Sequence, residues 1–377
     1  RPAMAALGAA AMLAFGILSL RQAAASVDAG TIVLLFSMML IAGTLHLAGF
    51  FDWISDKVIA HLDPKHLLPG VVFTSGVLSA LLVNDVVCLV MAPLVLDVCR
   101  RMRVKPLPYL LALATASNIG SAATITGNPQ NILIGSVSGI SFRDFAARLG
   151  PPAALGLFAD WALLHWIYPR AAEKTAPAPE PPPPRRRELH PAWPLAVACG
   201  VLAAFLLGCP PPAAAAAGAA LMLVQRRRSL GALSRDVDWP LLVLFLGLFV
   251  VLGGAERAGV ARELLGAAGR LNLRDPAAFA AVVTLLSNAV SNVPTVMLLK
   301  GLIPKLFPDP RSAWLLLALT STLAGNLTIT GSVANIIVVE KARGECPIGF
   351  LEYLRIGVPV TLATLAIGLL WLRLSAG

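Results

Sequence analysis

Charge is what this chain has least of. Asp, Glu, Lys and Arg make up 13% of its 377 residues, against 57% hydrophobic residues, and a soluble domain carries about twice that charged fraction. A water-soluble globular protein is excluded. Cysteine is equally thin: Cys88, Cys99, Cys199, Cys209 and Cys346 show no CxxC spacing, so neither a disulfide framework nor a zinc site is indicated. The five histidines are dispersed, and no HExxH, GxSxG or clustered His/Asp set occurs. A membrane-embedded enzyme is therefore a remote alternative. The net charge of +10 does not point to nucleic acid. The bases sit in short runs between apolar segments, such as Arg100–Lys105, Arg185–Arg187 and Arg226–Arg228, the pattern of cytoplasmic loops.

Long apolar runs are what remains. Leu241–Leu252 and Gly357–Leu372, bounded by charges, read as membrane spans. The whole predicts an all-α, polytopic integral membrane protein in the lipid bilayer, of prokaryotic inner-membrane type. In a first half (residues 1–172), scaffold spans cover 3–50, with 3–20 read as a span rather than a signal peptide. A surface helix follows at 51–66, then an apolar stretch at 67–99 interrupted by Asn84-Asp85. That stretch is too long for one crossing and slightly short for two, so a re-entrant hairpin is expected. A broken helix at 107–140, an amphipathic piece at 141–149 and a span at 152–168 complete the half. A Pro- and Arg-rich cytoplasmic linker is expected at 173–191. The second half (192–377) repeats the series: spans within 193–254, an amphipathic helix at 255–273, a hairpin at 277–303, a broken helix at 312–340, an amphipathic piece at 341–354 and a span at 356–374. The first hairpin then enters from the cytoplasm and the second from outside, so the repeats are inverted.

The sharpest signal is internal. Thr124-Ile125-Thr126-Gly127 recurs as Thr328-Ile329-Thr330-Gly331, 204 residues on (328 − 124), and Asn131 and Asn335 follow at matched distance. Polar and glycine residues inside apolar segments break a helix, which is tolerable only where the break lines a polar cavity. A repeated broken helix is the sequence pointer to a secondary transporter's binding site. Asn128 before Pro129, and Ser332 in the other copy, are expected to cap new half-helices whose free N–H groups favour an anion. The preceding half-helices end near Gly120 and Gly325, leaving carbonyls and the Thr124, Thr126, Thr328 and Thr330 hydroxyls for a cation. The hairpin tips carry Asn84-Asp85 and Ser291-Asn292, with Thr295 and Asn288 close by. Asp85 is the best candidate for proton or cation coupling. Asn288 competes with Asn292 as the counterpart of Asn84, and the turn beside Pro294 favours Asn292. Asp160 reads as a packed polar residue, with a proton relay as the alternative.

The segments 116–131 and 324–335 (ASNIGSAATITGNPQN and AGNLTITGSVAN) resemble the broken-helix signatures of the ion-transporter superfamily, which holds arsenite permeases, citrate-transporter-like proteins and divalent-anion:sodium symporters. Leu81–Pro93 and Leu286–Leu299 are similar to its two hairpins. The tips read Val83-Asn84-Asp85 and Ser291-Asn292-Val293 where the sodium-coupled symporters carry Ser-Asn-Thr, so they look closer to the arsenite-permease branch. The resemblance implies an elevator-type transporter, a homodimer formed through the outer spans, and no cofactor beyond Na⁺ or H⁺ as coupling ion. The expected activity is secondary transport of a small anion or a metalloid oxyacid, with a Na⁺/H⁺ antiporter as the alternative. The site it implies comprises Asn84, Asp85, Gly120, Thr124, Thr126, Gly127, Asn128 and Asn131, and from the second half Ser291, Asn292, Thr295, Gly325, Asn326, Thr328, Thr330, Gly331 and Asn335. Na⁺ is placed near Asn84/Thr124 and Asn292/Thr328.

Overall fold

The computed structural model describes residues 2–54, 63–173, 192–224, 237–259 and 271–375, and among these every regular element is helical. Of the linker expected at 173–191 all but Glu173, and of the expected surface helices residues 55–62 and 260–270, lie outside the described residues. Three of the described helices, Ala29–Leu47 (α3), Trp239–Arg257 (α11) and Phe350–Ser375 (α17), are long and apolar enough to cross a membrane.

The chain opens differently from the expected single span. Helix α1 (Pro2–Ala14) stops early, Gly16 turns the backbone left-handed at φ 69°, and α2 (Leu20–Ser26) restarts the helix. Ser19 and Gln22 form a reciprocal capping box, with Gln22 N donating to Ser19 Oγ at 3.3 Å and Ser19 N to Gln22 Oε1 at 2.9 Å. A local cap outweighs continued apolar character here, because it satisfies amides that would otherwise be orphaned.

The first hairpin consists of α4 (Pro64–Leu81) and α5 (Asn84–Met102), turning at Leu82-Val83. The broken helix follows as α6 (Leu107–Ser121) and α7 (Pro129–Ser138). All fourteen residues of α6 from Pro108 to Ser121 are buried, so this half-helix is enclosed by protein on every side. Its neighbour α4 comes so close that a Cβ on Gly120 would overlap the Gly76 carbonyl. Small residues at such crossings let membrane helices touch backbone to backbone.

The amphipathic piece at 141–149 and the span at 152–168 are one helix, α8 (Phe142–Ile167), which runs through Pro151 and Pro152. Pro152 has no N–H to give the carbonyl of Arg148 one turn back. The Trp371 indole supplies that donor instead, at 3.0 Å, from the end of α17, which packs along α8.

The second half contains α9 (Ala192–Leu206), α10 (Pro211–Val224) and α11, whose helix continues to Arg257. A second hairpin, α12 (Pro276–Val290) and α13 (Asn292–Leu299), leads through the short α14 (Ile303–Leu306) to α15 (Pro310–Ala324). A 3-10 turn at Ile329–Gly331 separates α15 from α16 (Val333–Ala342). The amphipathic helix expected at 341–354 does not form as a unit: α16 stops at Ala342, and Phe350–Leu354 already belong to α17. Gly344, Pro347 and Gly349 lie between them, residues that interrupt helices.

Packing between the halves is crossed. The second arm of the first hairpin, α5, lies against α16, while the second arm of the second hairpin, α13, lies against α7. Each hairpin's second arm thereby packs on the opposite half's second half-helix.

Candidate functional site at the two helix breaks

Each break is built the same way. Asn128 accepts from Asn131 N at 2.8 Å and caps α7, with Pro129 at the first helical position. Ser332 accepts from Ala334 N at 3.2 Å and caps α16. The chain before each cap is folded back by one asparagine. Asn131 donates its amide to the carbonyls of Ser121 (3.1 Å) and Thr124 (3.0 Å). Asn335, 204 positions on, donates to Gly325 (2.7 Å) and Thr328 (3.1 Å). The carbonyls that the sequence leaves for a cation are thus partly satisfied from within. Gly127 is required by this fold-back, since a Cβ there would overlap the Ser121 carbonyl oxygen.

The breaks are tied to each other by residues that the sequence reading passed over. Asn118 accepts from Asn84 Nδ2 (3.0 Å) and Ser332 Oγ (2.9 Å) and donates to Asn326 (2.8 Å) and Asn335 (2.9 Å). Thr322 stands at the same 204-residue offset and receives Asn128 Nδ2 at 3.1 Å and Gln130 Nε2 at 3.3 Å, while donating to Asn131 Oδ1 at 3.4 Å. Each therefore bonds the cap and the asparagine of the opposite break. The available signal was that two polar side chains at the repeat offset sit one turn before each break.

The hairpin tips complete the junction. Asn84 N donates to the Gly127 carbonyl at 2.9 Å. With its amide oriented to suit its neighbours, Asn292 donates to Ser321 O at 3.0 Å and Gly331 O at 3.3 Å. Asn84 and Asn292 each open the second arm of their hairpin, so Asn292 is the tip equivalent. Asn288 serves beside it, donating to Ala324 O at 3.0 Å and accepting from Thr328 Oγ1 at 2.8 Å. Ser291 holds φ 88° at the tip, a conformation that costs a non-glycine residue energy and is tolerated where surroundings enforce it. Thr295 Oγ1 donates back to Ser291 O at 2.9 Å.

Asp85 is buried in the first turn of α5 and faces the Ala334 amide at the start of α16. The corresponding position after Asn292 is Val293, which is apolar. One half-helix N-terminus is thus faced by a carboxylate and its counterpart is not. The Asn84 Oδ1 and Thr126 Oγ1 atoms are buried with no hydrogen-bond partner. Thr124 Oγ1 donates to the Ala80 carbonyl. Gly120 faces α4, Asn326 donates to Thr115 O at 3.2 Å, and Thr330 is exposed, its hydroxyl 3.3 Å from Thr328 Oγ1. Among the described residues no Lys, Arg or His is buried, and the buried carboxylates are Asp85 and Asp160. Asp160 stands apart from the tips, accepting from Thr115 Oγ1 at 3.0 Å. No group of three or more His, Cys, Asp or Glu positioned for a metal occurs among the described residues.

The family and relatives of this all-α, multi-pass membrane protein make it a transporter rather than an enzyme, moving a small molecule or ion. Residues 1–324 match the profile of the family described as citrate transporter, and the chain belongs to that family. It is 30% identical to an uncharacterized transporter of Mycobacterium tuberculosis, over 93% of this chain and 87% of that one. It is 29% identical to the silicon efflux transporter LSI3 of Oryza sativa, over 98% of this chain and 91% of the relative. Its fold is shared with the Alcanivorax borkumensis YdaH transporter at a TM-score of 0.61 and 15% identity, covering 95% of this chain and 87% of that chain.

Proposed function

We propose that the chain is a secondary active transporter whose solute is a small, uncharged polyhydroxy acid of a metalloid, coupled to the proton gradient through Asp85. The observation that carries this reading is the composition of the junction: asparagine amides and hydroxyls, one carboxylate at a hairpin tip, and no buried cationic side chain among the described residues. A fixed anion would meet Asp85 without an opposing cation, and like charges in a low-dielectric site repel strongly. A neutral acid bearing several O–H groups instead finds both donors and acceptors, including the unpartnered Asn84 Oδ1 and Thr126 Oγ1. The silicon efflux transporter among the relatives points to the same substrate class. A proton is the coupling ion in this reading because the carboxylate at the junction, Asp85, is buried at the hairpin tip.

In this reading Asn84, Asp85, Thr126, Asn128 and Asn131 line one half-site and Ser291, Asn292, Thr328, Gly331 and Asn335 the other. The two halves are inverted repeats. The hairpins, α6–α7 and α15–α16 move together against an outer scaffold that also makes a homodimer contact. The test is flux into proteoliposomes of arsenous and germanic acid beside citrate and sulfate. Uptake of the neutral acids alone supports the reading; uptake of citrate or sulfate without the neutral acids rejects it.

A further inference from the structure

The described residues frame a cavity of about 820 Å³. It is framed by the start of α12, the start of α15 and the end of α17, with Arg148 of α8 at its edge. Three features of this cavity come from separate observations.

The first is charge. Arg148, Arg274 and Arg373 line the cavity. Arg148 Nη1 is held by the Ser375 carbonyl at 2.6 Å, while Arg274 and Arg373 are exposed and have no ion pair among the described residues. Nearby Arg311 is already engaged, pairing with Asp144 at 2.9 Å. The two acids of the lining serve as helix caps: Asp275 accepts from Ala278 N at 2.8 Å, and Asp309 accepts from Arg311 N at 3.1 Å and Ser312 N at 3.3 Å. Part of their charge is opposed by the positive ends of α12 and α15, so the three arginines leave the lining net positive.

The second is depth. Trp371, whose indole N–H is bonded to the Arg148 carbonyl, sits beside the cavity, and tryptophans with one wet end concentrate at the membrane–water boundary. The third is the wall. Phe307, Leu370 and Leu372 give the cavity an apolar side, and Leu370 is exposed. A free inorganic anion has no use for such a wall.

We propose that this cavity binds an anionic phospholipid, its phosphate held between Arg274, Arg373 and Arg148 and one acyl chain laid along Phe307, Leu370 and Leu372. Basic pockets between membrane helices recognise lipid head groups by this chemistry. The site joins the outer root of the second hairpin to α8 and α17, and it is independent of the solute pathway.

The test is native mass spectrometry of the full chain mixed with phosphatidylglycerol, phosphatidylcholine or inorganic phosphate. The wild type is expected to retain phosphatidylglycerol at least about fivefold over phosphatidylcholine, since each arginine near the surface adds roughly 1 kcal/mol toward an anionic lipid. Arg274→Gln/Arg373→Gln is expected to lose that preference, and Arg373→Lys to keep most of it. Millimolar phosphate is expected not to displace the lipid. Equal retention of the two lipids by the wild type, or an unchanged preference in the double variant, overturns the proposal. Displacement by phosphate overturns it too, by marking a free-anion site. None of these outcomes depends on which solute is transported.

Discussion

Asn118 donates its amide to the side-chain oxygen of Asn335 at 2.9 Å, across 217 positions of the chain. The same amide also reaches Asn326, and its carbonyl receives Asn84 and Ser332. One side chain therefore joins a hairpin tip, its own half-helix and the opposite break. Asn118→Ala strands several buried polar groups, each costing about 1–3 kcal/mol when left unpaired. A clear drop in the thermal midpoint in detergent is expected. Thr322→Val, which removes the matching hydroxyl, is expected to lower it less. Equal and negligible effects would show that the bridge is not structural.

Glycine at the break is a steric requirement. A Cβ on Gly127 overlaps the Ser121 carbonyl, whereas one on Gly150 meets nothing within 4 Å. Gly127→Ala is therefore expected to abolish accumulation of folded protein in the membrane, while Gly150→Ala accumulates normally. Size-exclusion of detergent extracts distinguishes the two. A monodisperse Gly127→Ala peak would contradict the fold-back described for this segment.

Trp371 and Pro152 are coupled through one carbonyl. Trp371→Phe removes the donor to Arg148 O and is expected to cost about 1 kcal/mol. Pro152→Ala returns the helical N–H, so the same Trp371 change is expected to cost less in that background. A double-mutant cycle on thermal midpoints measures the difference. Strict additivity would mean that the indole bond does not stand in for the N–H missing at Pro152.

Much of this was legible beforehand. The helix breaks at Ala122–Gly127 and Gly325–Thr328, the caps Asn128 and Ser332, and the hairpin turn before Asn84 all follow from local chemistry that a sequence displays. What was hidden is tertiary. Pro151-Pro152 reads as a boundary, because nothing local shows that Trp371 serves the freed carbonyl. The apolar run at 3–20 reads as one span, because apolar character conceals the capping box at Ser19. Asn118 escaped notice because its importance lies in partners over 200 positions away. The break carbonyls looked open for a cation because the reach of Asn131 and Asn335 back to them requires the folded loop.

The most direct measurement is arsenous acid flux into proteoliposomes under an imposed pH gradient, comparing wild type with Asp85→Asn. The wild type is expected to concentrate the solute against its gradient and to follow the sign of the pH difference. Asp85→Asn is expected to keep solute exchange at equal pH but to lose the response to the gradient. A pH-driven accumulation by Asp85→Asn equal to that of the wild type would contradict proton coupling at the hairpin tip.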